Sequence, residues 1–306
     1  MINLFNIPQY KIDTAKFNHF LHASIVEEFE NNFCNYVGAK YACSVNSATN
    51  AIFLTLLNKE ATINIPSMIP PVVCNAIITS GNEINFIDDT TWVGDSYVLH
   101  EFENYKIIDS AQKVEREQFK KEANDEDLMI FSFYPTKPIG STDGGMVVTN
   151  DYEKIKWFKE AVMNGMSFSE NNWERKIKFP GYKMYMNSIQ AYIANENLKK
   201  LDSKKHNLSL IRDYYNKKLG YENTSEHLYR IEVENNKRFV NYMKSFGITC
   251  GIHYDASHEN DIYTKGQYFD CPKSSFMAKK TVSIPYHENL TEQNMEKIVK
   301  YAILGK

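Results

Sequence analysis

One lysine in this chain stands apart from the others by its setting. In Phe131-Ser-Phe-Tyr-Pro-Thr-Lys-Pro-Ile-Gly-Ser-Thr-Asp-Gly-Gly-Met-Val-Val-Thr149, Lys137 follows an apolar strand and precedes a Gly-Gly pair that lets the chain turn back into a second one. Most lysines are solvated surface charges. This one falls between two strands fit for burial, at the strand-end position where ligand sites of α/β folds form. Desolvation there lowers an amine's pKa and makes it nucleophilic. A second candidate, Asp109, ends the apolar run Tyr105-Lys-Ile-Ile108. A strand-end aspartate can simply cap the next turn. Its chemical alternative is a carboxylate that keeps a pyridinium nitrogen protonated, without which such a ring is a poor electron sink. The third element is Ser47-Ala-Thr49 at the mouth of an apolar helix. Free N–H groups and the helix dipole attract an anion at such a place, although Ser and Thr are also ordinary N-caps. In chain order these are a phosphate cradle, an acid for a ring nitrogen and a Schiff-base lysine. Together they meet the requirements of pyridoxal phosphate (PLP) chemistry.

The elements that must hold these residues can be read from periodicity. Ile25, Phe29, Phe33 and Tyr36 form one helical face that Gly38 ends. A strand over Tyr41–Val45, a small-polar turn and an apolar helix over Ala51–Leu57 follow. Further runs read as a strand over 61–65, a helix over 71–78 and a strand over 83–87. Strand-length runs recur at 105–108, 128–133 and 145–149, before a helix over 152–162. Strands alternating with helices imply an α/β fold, with a mostly parallel sheet covered on both faces. Residues 165–185, rich in Asn, Lys, Gly and aromatics without period, read as a long functional loop. A helical stretch over 187–219 then leads into short strands at 229–233 and 281–284 and helices at 237–246 and 291–304. The expected division is a large PLP-binding α/β domain, 1–185, and a smaller C-terminal α+β domain, 186–306.

Composition limits the alternatives. The 35 Lys+Arg against 38 Asp+Glu give a net charge of −3, without the basic footprint of a nucleic-acid binder. No run of ~18 apolar residues offers a membrane span. The start, Met1-Ile-Asn-Leu-Phe-Asn-Ile-Pro8, lacks a signal peptide's basic and apolar regions. The five scattered cysteines read as reduced thiols of a cytoplasmic protein and offer no metal site.

On its motifs the chain resembles the DegT/StrS family of nucleotide-sugar aminotransferases, which have PLP fold type I. The likeness runs through Val26–Glu30, Val45-Asn-Ser-Ala-Thr49, Ile108-Asp-Ser-Ala-Gln112, Phe131–Asn150, Gly181–Ala191, Gly251-Ile-His-Tyr254 and Ser283-Ile-Pro285. It implies that Lys137 carries the cofactor, that Asp109 partners the pyridinium, and that Gln112 contacts the ring's phenolic side. Ser132, with the amides of Ala48 and Thr49, would hold the phosphate. His253 and Tyr254 would lie near substrate. The resemblance also implies a homodimer whose sites borrow residues from the neighbouring subunit. The reaction would move an amino group, usually from glutamate, onto a nucleotide-linked keto-sugar, for cell-surface polysaccharide or glycoside biosynthesis.

Four departures from the family pattern stand out. Ala48 replaces a turn glycine. No aromatic lies in Pro66-Ser-Met-Ile-Pro70, where the family stacks one on the cofactor, so Met68, Pro70 or another residue must cover the ring. Between Phe86-Ile-Asp-Asp89 and Tyr105 a strand and a helix are expected to be missing. In Gly181-Tyr-Lys-Met-Tyr-Met186, Lys183 stands where the family has a phosphate-contacting asparagine, and Tyr185 replaces an arginine. The alternatives are a trimmed homologue that binds or regulates without catalysis, and a PLP-dependent sugar dehydratase. The dehydratases carry histidine in place of Lys137.

Overall fold

The computed structural model describes residues 1–6, 10, 12–17, 19–168 and 174–306. Helix α1 (Ile25–Val37) buries the stripe read from its sequence and ends at Gly38, whose φ of 80° is the left-handed cap conformation. Next come β1 (Tyr41–Val45), α2 (Ala48–Leu56), β2 (Thr62–Pro66), α3 (Pro71–Thr79) and β3 (Glu83–Ile87). Strands β4 (Tyr97–Glu101) and β5 (Lys106–Asp109), helix α4 (Gln118–Glu122), β6 (Leu128–Ser132), β7 (Gly145–Thr149) and α5 (Tyr152–Val162) follow.

The central sheet has the order β1-β7-β6-β5-β4. Its buried strands present alternate residues to two apolar layers. Ile107, Leu128, Ile130 and Val147 face α2, α3 and α5. Ile108, Met129, Phe131, Met146 and Val148 face α1. Continuous apolar runs arise because both faces are covered.

The expectation of a mostly parallel sheet needs correction. Only β5–β6 runs parallel within the five strands, while β1–β7, β7–β6 and β4–β5 are antiparallel. The parallel pair β2–β3 lies beside β4. The cause is connection length, because a parallel neighbour needs a crossover of a dozen or more residues. Residues 102–105 between β4 and β5 permit only a hairpin. The trimmed unit has therefore lost its crossover helix, but a strand remains and is reversed.

Two other readings change. Within 165–185, β8 (Met166–Phe168) and β9 (Arg175–Ile177) form a small antiparallel hairpin; residues 169–173 lie outside the described residues. The stretch 187–219 is two helices, α6 (Ser188–Leu198) and α7 (Leu201–Leu219). At their junction the ladder tightens, with Lys200 N–H donating to the Asn197 carbonyl.

Helix α6 packs in the α1 layer. The later elements are β10 (Tyr229–Glu232), α8 (Asn236–Ser245), α9 (Asp261–Thr264), α10 (Pro272–Lys280), β11 (Thr281–Ile284) and α11 (Glu292–Gly305). An apolar cluster from Leu208 to Ala302 joins α7, β10, α8, β11 and α11. All five cysteines are buried and unpaired. No helix among the described residues is long and apolar enough to cross a membrane.

Candidate active site

The C-terminal ends of β5 and β6, the loop 133–144 and the N-terminus of α2 converge on a cavity of ≈390 Å³. Asp109, Ser132, Lys137, Ala48, Thr49, Gln112, His253 and Tyr254 all line it. Helix α2 begins there because Ser47, in extended backbone, accepts a hydrogen bond from Asn50 N–H at 3.2 Å. The amides of Ala48 and Thr49 have no backbone acceptor among the described residues, and the Ser132 hydroxyl faces the same space. Gly145 makes this approach possible. A Cβ on it would sit 2.6 Å from Ala48 N and 2.8 Å from the Ser47 carbonyl carbon.

Lys137 sits in a loop pinned at both ends. Phe133 and Ile139 are fully buried, and Phe133 N–H donates to the Gly144 carbonyl while Ser141 N–H donates to the Phe133 carbonyl. The turn itself is closed by Lys137 N–H on the Tyr134 carbonyl at 2.9 Å. Lys137 Nζ makes no hydrogen bond or ion pair among the described residues. Burial pulls its amine down to about 8, opposed by the charge of Asp109. The lysine is thus drawn into the cavity and is not an exposed loop charge.

Asp109 is 4 % exposed. Its carboxylate accepts from Ala111 N–H and from the Tyr97 hydroxyl, each at 2.9 Å. Burial nevertheless raises it above the usual carboxylate range. A cationic ring nitrogen beside it would relieve that cost and keep the carboxylate ionised.

Gln112 is committed on both sides. Its carbonyl accepts Gly94 N–H at 2.8 Å, and its amide donates to the Tyr254 hydroxyl at 2.9 Å. The first bond ties down the segment after β3, and with it Trp92. This indole lines the cavity, lies parallel to Tyr254 with centroids 6.0 Å apart, and stands 4.7 Å from the Tyr97 ring. Its buried Nε1 has no partner among the described residues. His253 Nδ1 lies 2.8 Å from Ser283 Oγ. Burial, then the charges of Lys137 and Arg230, hold His253 down at about 4, as a neutral ring. His227 is held neutral in the same way and stacks on Phe5 at 5.7 Å.

Two expected residues are elsewhere. Met68 is fully buried against Ala256 and Ala278, so it does not cover the cavity; Pro70 and Trp92 line it instead. Lys183 is exposed, beyond the cavity of its own chain, and bridges Met163 beside α5. Trp92, Tyr97, His227 and Phe5 escaped the sequence reading. Only Trp92 and Tyr97 left a signal there, as aromatics within the shortened connection.

The residues present fit PLP. Open amides and a hydroxyl suit its phosphate, a buried carboxylate suits its ring nitrogen, and a low-pKa amine faces both. Among the described residues no cluster of three or more His, Cys, Asp or Glu could hold a metal.

A model of the DegT/DnrJ/EryC1/StrS aminotransferase family matches residues 7–95 and 103–302; the break falls on β4. The UDP-4-amino-4,6-dideoxy-N-acetyl-beta-L-altrosamine transaminase of Campylobacter jejuni is 28% identical over 341 aligned positions, covering 92% of this chain and 90% of that protein. The aminotransferase TlmJ from Streptoalloteichus hindustanus superposes with a TM-score of 0.82 at 17% identity, covering 100% of this chain and 98% of that one. Helicobacter pylori PseC, an aminotransferase involved in the biosynthesis of pseudoaminic acid, gives 0.78 at 19% identity, with 98% of each chain covered. At such identities the two structures speak for the fold.

Proposed function

The chain belongs to the DegT/DnrJ/EryC1/StrS aminotransferase family, and on that premise we propose that its cavity transfers an amino group from glutamate to a nucleotide-linked keto-deoxysugar. The enzyme is a PLP-dependent sugar aminotransferase that serves polysaccharide biosynthesis. In our reading it works in the cytoplasm as a homodimer, with each site completed by the partner subunit.

The observation that carries this reading is the pairing of Lys137 with Asp109 across one cavity, closed at a third corner by the N-terminus of α2. Bound PLP supplies a carbonyl carbon at which amines exchange and a ring that accepts electron density as the Cα proton leaves. The Ala48 and Thr49 amides and Ser132 anchor the phosphate. Asp109 holds the proton on the ring nitrogen, and Tyr97 fixes the rotamer of its carboxylate. Lys137 would be the residue that holds the cofactor's carbonyl carbon. Its neutral Nζ, when free, would serve as the base that holds and returns the proton of the donor's Cα. An amine held at about 8 is well matched to that exchange near neutral pH. Gln112 and Tyr254 orient the ring's phenolic edge, while Trp92 and His253 exclude water. Lys183, exposed on its own subunit, is read as reaching the partner's phosphate.

Borohydride treatment of the PLP-loaded protein tests the assignment. The expected product is a pyridoxyl group on Lys137 alone, found by peptide mapping, and no label in Lys137→Ala. Glutamate should bleach the yellow colour of the wild type. A label on any other lysine would refute the assignment.

A further inference from the structure

A second cavity, of ≈450 Å³, adjoins the first and shares Gln112 and Asp95 with it. Its walls hold four cations, and their partners divide them. Lys113 is neutralised by Asp95 at 2.8 Å and Glu122 at 2.9 Å, and Lys205 by Glu226 at 2.8 Å. Arg230 and Lys204 form no ion pair among the described residues. Among the described residues, Arg230 Nε is buried without an acceptor, and Lys204 Nζ donates only to the Pro138 carbonyl, at 3.0 Å. Glu288 acts on Lys204 only at longer range, and Glu222 is exposed at the rim.

Both unpaired cations are tied to the reacting centre. Pro138 follows Lys137 directly. Arg230 lies opposite Ser283 in the β10–β11 register, and Ser283 contacts His253, which lines the first cavity. Burial lowers the pKa of both side chains, as expected of cations that lack a counter-charge. An unpaired guanidinium whose Nε is buried is costly for the apoprotein. A carboxylate would offset that cost through two parallel, charge-assisted hydrogen bonds.

We infer that this second cavity is the subsite for the distal carboxylate of a dicarboxylic amino donor, held by Arg230 and Lys204. The inference rests on the aminotransferase reading. The cofactor phosphate already has its cradle at α2. A donor's α-carboxylate is bonded to the reacting Cα and stays in the first cavity. The distal carboxylate of glutamate lies two methylenes further on, a reach that extends toward the second cavity, which shares Gln112 and Asp95 with the first. One guanidinium and one ammonium suit a single carboxylate, and alanine would leave them unpaired.

The test compares glutamate with alanine, by the rate at which each bleaches PLP-loaded protein in a stopped-flow instrument. The glutamate-to-alanine ratio should fall at least tenfold in Arg230→Met and in Lys204→Met, and recover in part in Arg230→Lys. Retention of the yellow colour reports that each variant is folded and loaded. An unchanged ratio in Arg230→Met overturns the inference. Calorimetry of 2-oxoglutarate binding to the pyridoxamine-phosphate-loaded protein reads the subsite without turnover. Binding should weaken at least tenfold in Arg230→Met. Equal competition by inorganic phosphate would mark a generic anion site and also overturn it. If neither amino acid bleaches the wild type, the donor reading fails, while the calorimetric result still decides the subsite.

Discussion

Gly145→Ala probes the phosphate cradle by steric means alone. The added methyl carbon would lie 2.6 Å from Ala48 N, 2.7 Å from Ala48 Cα and 2.8 Å from the Ser47 carbonyl carbon. Ordinary contact begins near 3.4 Å, so about 0.8 Å must be recovered. The strand side cannot supply it, because Gly145 is paired with Val45 on one flank and Ser132 on the other. The start of α2 must therefore retreat. Overpacking of this kind costs about 1–3 kcal/mol of stability. Each charge-assisted bond lost from the phosphate is worth about 1.5–3 kcal/mol, so PLP affinity should fall roughly tenfold or more. Equilibrium dialysis with PLP, and with pyridoxal as the phosphate-free control, separates the effects. The variant should lose PLP affinity and keep its affinity for pyridoxal. Equal losses for both ligands, or none, would refute the placement of the phosphate at α2.

The rate at which cofactor-free protein captures PLP covalently should rise with pH through a midpoint near 8, the pKa at which burial holds Lys137, and then level off. A rate still climbing at pH 10 would mean an ordinary solvated amine. The same depression, from 10.5 in the unfolded chain, leaves the unfolded lysine binding more protons between those values, so the contribution of Lys137 to apoprotein stability should grow with pH across that window, against the opposing contribution of the buried cysteine thiols, which burial pushes up. In thermal melts the stability of the wild type relative to Lys137→Met should therefore rise with pH between those values. Asp109→Asn should keep PLP bound but slow bleaching by glutamate by orders of magnitude, since ring-nitrogen charge is the step's main requirement. Tyr97→Phe, which removes one bond to that carboxylate, should slow it by about tenfold or less. Wild-type rates in Asp109→Asn would sink the assignment. Lys183→Ala should weaken PLP retention roughly tenfold. Mixed with Lys137→Ala, it should regenerate one working site per heterodimer, and an inactive mixture would place Lys183 outside the partner's site.

The convergence of the proposed cofactor residues on one cavity was legible in the sequence because they follow the ends of apolar runs. Lys137, Asp109, Ser132 and the Ser47–Thr49 turn need only the rule that strand ends gather ligands. Arg230 and His227 follow no such rule. Arg230 matters because β10 pairs with β11 and sets it behind His253. His227 matters because Phe5, far away in the chain, stacks on it. These are tertiary facts, and local spacing carries no trace of them. Met68 shows the converse error, a residue at the right place in the chain whose side chain is spent in another apolar cluster.

The shortened connection before β5 shows how a loss of chain can reshape a site. With only residues 102–105 between them, β4 must return antiparallel to β5, and the hairpin fixes the register. That register sets Tyr97 opposite Asp109, close enough for the 2.9 Å hydrogen bond. Side chains alternate along a strand, so a slip of one residue would turn Tyr97 to the opposite face. The irregularity between Val98 and His100 absorbs one residue and preserves the pairing at Asp109. The segment leading into β4 also delivers Trp92, which Gly94 and Gln112 hold at the cavity wall. The segment that lost a crossover helix thus supplies both the tyrosine that orients the key carboxylate and the indole at the wall that Met68 leaves uncovered.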